Sequence, residues 1–363
     1  MACWADEPKH AADPLEFQAI RMKVALLTGG GDCPGLNAVI RAVVRSVLAE
    51  GHETIGYRRG WAGVLDGDHV ELGRADIAGV LSRGGTMLLS SRTNPFADGA
   101  DGVAAVKSRL EADGVDALVA IGGEDTLGVA AKLAAGGLPV VGVPKTIDND
   151  LPGTDQTFGF DTAVQIATDA IDRLHTTAES HDRIIIVEVM GRHAGWLACA
   201  AGLAGGADLI LVPERPFEIE AVCEHLRMRH STGRSFSIVV TSEGATPAGG
   251  ELVTSGAATD AFGHARLGGV GVWLEQQIAE RTGFDSRAVI LGHLQRGGTP
   301  TATDRILATR LGLAAGRSVL AGNFGVMAAL AGTEIELVPL ARALEPLRTL
   351  DPKLFEDAEV FFG

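Results

Sequence analysis

The chain has 363 residues and a formal net charge of −15. That length suits two ordinary domains or one large one, and so acidic a surface argues against nucleic acid as a partner. Small phosphorylated ligands stay admissible, because their sites are local clusters of arginine and backbone N–H. Cys3, Cys33, Cys199 and Cys223 lie far apart with no Cys-x-x-Cys pair, which speaks against a zinc centre or a disulfide framework. No run approaches the roughly 18 apolar residues of a membrane span. No signal-peptide pattern opens the chain, so a cytoplasmic protein is expected.

Residues 1–21 are polar and without period, and are expected to be a disordered extension, an appended tag or the product of an upstream start. Residues 23–28 read as a strand, Gly29-Gly-Gly-Asp-Cys-Pro-Gly35 as a glycine turn and residues 36–48 as an amphipathic helix. Such a unit presents bare N–H groups at a helix N-terminus, a ready anion site. It is not the dinucleotide fingerprint, because its glycines do not fit G-x-G-x-x-G and Pro34 falls inside the turn. A strand over 53–57 follows, and Arg92 comes after a hydroxyl-rich turn as a candidate phosphate clamp. The strand at 117–121 runs into Gly122-Gly-Glu-Asp-Thr126 and an alanine-rich helix. Two acids there complement the helix dipole; equally, they suit Mg²⁺, which takes one or two carboxylates plus substrate phosphates.

Residues 138–143 are short, apolar and rich in β-branched side chains, the pattern of a buried strand. Pro144 is expected to take the chain out of the ladder, and Lys145-Thr-Ile-Asp-Asn-Asp150 follows. On an extended backbone the carboxylates of Asp148 and Asp150 would face one side. A cation, a hydroxyl and two carboxylates at the carboxyl end of a strand stand where open α/β sheets bind ligands. A capped surface turn also fits so polar a loop.

The second half keeps the same rhythm. Helices are predicted over 162–174, 197–203, 218–229, 270–281 and 303–320, with strands over 183–189, 208–212, 235–240 and 287–291. Residues 245–268 read as a mobile or insertion-tolerant loop rich in Gly, Ala, Ser and Thr. The economical architecture is α/β, with two similar three-layer domains whose mostly parallel sheets face a shared cleft. Arg92, Arg183, Arg192, Arg287 and Arg296 beside Glu124, Asp148, Asp150 and Glu243 suggest a site for highly phosphorylated ligands and a metal.

Gly29-Gly-Gly-Asp-Cys-Pro-Gly-Leu-Asn37, Pro144-Lys-Thr-Ile-Asp-Asn-Asp150, Val187-Glu-Val-Met-Gly-Arg192 and Leu291-Gly-His-Leu-Gln-Arg-Gly-Gly298 resemble, in order, the motifs of the 6-phosphofructokinase family. The resemblance covers almost the whole chain. It implies a phosphoryl-donor domain of residues 22–159 plus about 294–345, and a fructose 6-phosphate domain of 160–293 plus about 346–363. It makes Asp148 the base that takes the proton of the sugar 1-hydroxyl, with Thr146 and Asp150 positioning the sugar and the phosphoryl group and Arg192 neutralising charge. Ile147, Met190, Gly191, Glu243, His293, Leu294, Gln295 and Arg296 match contacts to fructose 6-phosphate. Gly30, Arg92 and Thr126 match donor-phosphate contacts, and Glu124 the Mg²⁺ ligand. Arg183 and Arg287 match arginines that reach a neighbouring subunit's sugar phosphate, which implies a homodimer or homotetramer.

Two positions bear on the donor. Asp125 stands where ATP-using relatives carry a glycine under the nucleotide α-phosphate. A charge about 4 Å from a phosphate costs roughly 4 kcal/mol at an effective dielectric near 20, about three decades in affinity. Lys145 stands where many of them also carry glycine, and its ammonium can stabilise a departing phosphate. The pair resembles the pyrophosphate-dependent enzymes. Glu124 in place of the usual Asp resembles a branch of mixed donor specificity, which leaves an ATP-dependent 6-phosphofructokinase as the rival. Arg41, Arg45 and Arg234 resemble parts of a bacterial effector pocket, but Thr232 and Asp208 depart from it.

Overall fold

The computed structural model describes residues 21–250, 254–259, 265–267 and 269–362. Strands β1 (Lys23–Gly29), β2 (Glu53–Tyr57), β3 (His69–Glu71), β4 (Ala117–Gly122) and β5 (Val140–Pro144) alternate with helices α1 (Leu36–Ala49), α2 (Trp61–Asp66), α3 (Gly102–Ala112) and α4 (Glu124–Ala135). Helix α5 (Phe160–Ser180) leads to β6 (Ile184–Val189), α6 (Trp196–Ala204), β7 (Leu209–Leu211), α7 (Ile219–Ser231) and β8 (Ser237–Ser242). Then come β9 (Thr254–Thr259), β10 (Ala265–Leu267), α8 (Val270–Thr282), β11 (Ser286–Ile290) and a 3-10 turn, Gly292–Arg296. Helix α9 (Ala302–Leu320), strands β12 (Val326–Ala331) and β13 (Glu334–Pro339), and α10 (Pro352–Glu359) follow.

One sheet runs β13-β12-β5-β4-β1-β2-β3 and the other β11-β6-β8-β7. The central strands are buried on both faces, as apolar runs such as Ala117-Leu-Val-Ala-Ile121 require. The second sheet is parallel throughout. In the first, the outer strands β3 and β13 are antiparallel to their neighbours. The chain steps from β2 back across β1 to β4, so a topological switch point lies between β1 and β4.

Register makes the strand ends flush. Gly29 stands opposite Gly122, and Gly122 opposite Pro144, so three loops leave the sheet side by side. Pro144 therefore stays in the ladder. It occupies the last paired position, where its missing N–H is no loss, and the Lys145 N–H donates the next bond to the Gly122 carbonyl at 2.9 Å.

The two sheets share one core. Val24 and Leu26 of β1, Ile171 of α5, and Val187 and Val240 of the second sheet belong to a single fully buried apolar cluster. The chain crosses between lobes at α5, whose first turn is locked to that of α9. Thr162 donates from its N–H (2.8 Å) and its hydroxyl (2.5 Å) to Asp304 Oδ2, while the Thr301 hydroxyl donates to Asp161 Oδ2 at 2.6 Å.

Two expectations need correction or bounds. The stretch read as a loop at 245–268 carries the antiparallel pair β9–β10, with Ala265 opposite Thr259; its small residues hide the two-residue period. Its residues 251–253, 260–264 and 268 lie outside the described residues. So does the N-terminal extension, apart from Arg21, whose guanidinium pairs with Glu53 at 3.2 Å. Among the described residues no helix is long and apolar enough to cross a membrane.

Helices α1 and α9 pack closely because Gly312 faces the α1 backbone: a Cβ there would meet the Val39 carbonyl and the Ala42 methyl, both at 2.8 Å. Gly312→Val should lower unfolding stability by about 1–3 kcal/mol through overpacking. Urea denaturation measures it; an unchanged midpoint would show that the helices can separate at no cost.

Candidate active site

The flush ends of β1, β4 and β5 bring three turns together. Thr126, buried in the first turn of α4, fills the space beneath the glycines: a Cβ on Gly29 would lie 2.5 Å from its hydroxyl. Only the bare backbone of Gly29 and Gly122 lets the turns close over it. Gly30 follows in the left-handed region (φ 77°), its N–H donating to the Ser91 carbonyl at 3.1 Å and its carbonyl accepting from the Ser90 hydroxyl. This pairing holds the 90–92 segment, and with it the exposed Arg92, beside the glycine turn.

Lys145 is 3 % exposed and donates to the Gly31 carbonyl. Its Nζ is 3.6 Å from where a Gly30 Cβ would be, so the ammonium sits at the bare face of the turn. Burial lowers its pKa, with Arg296 adding to the shift and Asp148 and Asp32 opposing it. Arg296, from the 3-10 turn after β11, reaches the same place and donates to the Asp32 carbonyl at 3.2 Å.

Beyond Lys145 the backbone is not extended: residues 147–148 bend and Asn149 is left-handed (φ 55°). The loop is held by Thr157, whose N–H donates to Asn149 Oδ1 (3.0 Å) and whose hydroxyl donates to the Thr146 carbonyl (2.8 Å). Ile147 and Asn149 point inward and are buried, which leaves Thr146, Asp148 and Asp150 on the open side. The Asp148 N–H donates to the Thr146 hydroxyl at 3.1 Å, and Asp148 Oδ1 is buried without a hydrogen-bond partner.

The second lobe supplies the opposing wall. Gly191 (φ 128°) follows β6, and a side chain there would collide with the Ala194 carbonyl and the Ser242 hydroxyl, each 2.7 Å away. Gln295, fully buried, accepts from the Met190 N–H (3.3 Å) and donates to the Gly292 carbonyl (3.2 Å). This binds the loop carrying Arg192 to the turn carrying His293, Leu294 and Arg296. His293 and Leu294 are exposed. The Glu243 N–H is tied to the Val189 carbonyl at 2.8 Å.

Charge is crowded here. Asp150 is raised to about 7 by burial, then by the charges of Asp148 and Glu124. Glu243 is raised to about 7 by burial and Asp148, against the pull of Arg192. Carboxylates from both lobes thus feel one another, and the cluster favours cations and protons. Among the described residues no three His, Cys, Asp or Glu side chains form a ready metal cage.

Comparison with known proteins agrees with this geometry. A family described as phosphofructokinase matches residues 23–319.

The chain belongs to the phosphofructokinase family.

It is 62 % identical over 343 residues to a pyrophosphate--fructose 6-phosphate 1-phosphotransferase of Amycolatopsis methanolica, covering 94 % of this chain and all of that one. It is 52 % identical over 339 residues to ATP-dependent 6-phosphofructokinase 3 of Streptomyces coelicolor, covering 93 % and 99 %. Among solved structures, pyrophosphate-dependent phosphofructokinase from Marinobacter aquaeolei superposes with a TM-score of 0.77 at 25 % identity, covering 91 % of this chain and 86 % of that one.

Two residues of the sequence-derived constellation stand elsewhere. Arg183 and Arg287 lie at the amino ends of β6 and β11, where both grip Asp285 at 2.5 and 2.6 Å. The six residues of β6 span about 20 Å, so within one phosphofructokinase chain these arginines are remote from Asp148. Their shared partner Asp285 lines a depression of about 470 Å³ together with Asp182, His230 and Arg234. Sequence reading also passed over Asp32, Asp304 and Arg348. Asp32 stood inside a quoted motif and was legible there; the other two meet their partners only across the fold.

Glu243 has an ordinary value of 4.5. Its raised folded value makes the native state bind more protons than the unfolded chain between those limits. Its contribution to stability is therefore full below about 4.5 and is lost as pH rises through about 7. Glu243→Gln should gain stability relative to wild type across that window. Urea denaturation at several pH values checks it, and parallel curves would refute the assignment.

Proposed function

We propose that the protein reversibly transfers a phosphoryl group from inorganic pyrophosphate to the 1-hydroxyl of fructose 6-phosphate, giving fructose 1,6-bisphosphate. The observation that carries this reading is the buried Lys145 ammonium at the bare face of Gly30, with the acidic Asp125 in the first turn of α4, which leaves the strand end that pairs with Pro144. A cation in so dry a place interacts strongly with a compact diphosphate, and the Asp125 carboxylate opposes a nucleotide's third phosphate and tail.

Asp148 accepts the proton of the 1-hydroxyl. Thr146 and Asp150 hold the sugar and the moving group in line. Arg192, Arg296 and Lys145 offset charge on the transferring and leaving oxygens, where positioning and electrostatics do most of the work. Gly30 and Arg92 cradle the donor, with Thr126 supporting the turn from beneath, while Ile147, Met190, Gly191, Glu243, His293, Leu294 and Gln295 shape the acceptor side.

Mg²⁺ suits this donor set. The carboxyl of Asp150, raised by burial and by the charges of Asp148 and Glu124, stands among hard oxygen ligands short of a cation, and Mg²⁺ needs only one or two of them beside phosphate oxygens. Glu124 would hold it. When bound, the ion neutralises charge on the phosphate oxygens.

The donor half comprises residues 22–159 with about 294–345, and the acceptor half 160–293 with about 346–363. Arg183 and Arg287, stranded on the far rim, would serve the sugar phosphate of a second copy, so the working unit is a homodimer or homotetramer. An acidic, cytoplasmic enzyme of sugar phosphates fits every one of these features. The rival donor, ATP, is favoured by the 52 %-identical relative named for it and by Glu124.

A coupled assay with each donor should find turnover with pyrophosphate and little with ATP. Turnover from ATP alone would overturn the donor assignment and leave the sugar kinase standing. Asp125→Gly should raise ATP use; a variant that stays strictly pyrophosphate-dependent refutes the charge argument. Asp148→Asn should cut kcat by about 10²–10⁴-fold, and a smaller loss would mean another group takes the proton.

A further inference from the structure

The C-terminal segment crosses from the first sheet to the second lobe by passing over the acidic loop, and Arg348 is the residue at the crossing. Its N–H donates to the Asp150 carbonyl at 2.7 Å. Its guanidinium donates through Nη1 to the carbonyls of Thr154 (3.2 Å) and Asp155, in the segment that folds back on the loop. The same guanidinium lies 4.2 Å above the Trp196 ring, and the Trp196 Nε1–H donates to the Arg348 carbonyl at 3.2 Å. Trp196 opens α6, directly after the loop that carries Arg192. Two residues on, the Leu350 N–H donates to Glu214 (2.8 Å), whose carboxylate also accepts from Gly195 (3.0 Å).

We propose that Arg348 is a positioning residue for phosphoryl transfer: it fastens the Asp150 end of the acidic loop to the start of α6, across the lobe boundary. The proposal rests on the role given above to Asp150. The reacting groups come from both lobes, so their spacing depends on what ties the lobes at the site. Thr157 fixes the loop within its own lobe, and Arg348 fixes it to the other. Its charge attracts that of Asp150, and burial, which lowers the guanidinium pKa, is only partly opposed by the charges of Asp155 and Asp150. Lysine cannot replace it, because an ammonium that donates to the two carbonyls cannot also stack flat on the indole.

The test compares wild type, Arg348→Ala, Arg348→Lys and Trp196→Phe. It measures kcat, both KM values and the pH profile, together with amide exchange over residues 146–157 and 190–196. Misplacement of reacting groups should cost Arg348→Ala about 10- to 100-fold in kcat, with KM for pyrophosphate within about two-fold. The acid limb of the kcat profile should move to higher pH, and exchange should quicken in both segments. Arg348→Lys should restore the acid limb but not kcat, and Trp196→Phe should fall between. Should Arg348→Ala fail to fold, the Lys and Phe variants carry the same comparison. Wild-type kcat in the variants overturns the proposal, as does a loss of kcat that follows thermal stability while the acid limb and local exchange stay put. If wild type transfers no phosphoryl group to fructose 6-phosphate from any donor, the functional reading fails separately. Exchange alone then decides whether Arg348 ties the lobes: faster exchange in Arg348→Ala upholds the tie, and unchanged exchange removes it.

Discussion

The site is built around a buried ammonium. Lys145 is nearly inaccessible, and placing its charge there costs solvation that one backbone carbonyl and nearby carboxylates only partly return. What makes the place tolerable is the glycine turn after β1, whose bare backbone lets the side chain approach and whose carbonyl at Gly31 receives it. The flush ends of β1, β4 and β5 are the geometric condition for this. A shift of one residue in either pairing would turn Lys145 away from the turn and Thr126 out from under it.

From that condition follows the electrical character of the cleft. The first lobe contributes a cation and several carboxylates, the second contributes Arg192 and Glu243, and Arg296 comes from the turn by which the chain returns to the first. Burial raises Asp150 and Glu243 to about 7, a rise that a bound cation would oppose. On the proposed function, such a cleft would suit ligands that bring both phosphate and cation. The shared apolar core beneath it makes the two walls parts of one body, and the α5–α9 lock and the C-terminal crossing fix them near the reacting atoms.

Much of this was legible in the sequence because its signals are local. Apolar runs ending in glycines announced the strands and turns, and the elements lie within a few residues of their predicted places. The helix at 162–174 extends to Ser180, since nothing in Thr176-Thr-Ala-Glu-Ser180 ends a helix. Strand β12 and the edge strand β13 escaped notice: one face of β13 is open to solvent, so its apolar signal is thin.

The chain by itself determined the grammar of strand, bare turn and helix, and the chemical types gathered at Gly29–Gly35, Gly122–Thr126 and Pro144–Asp150. Those are short-range properties, set by side-chain period and by backbone freedom at single positions. Only the tertiary structure decided which groups meet. It kept Pro144 in the ladder, set Arg183 and Arg287 on the opposite rim about one strand length away, and brought Arg348 across nearly two hundred residues of chain to Asp150. Such meetings depend on sheet register and on where crossovers return, and no local pattern encodes either.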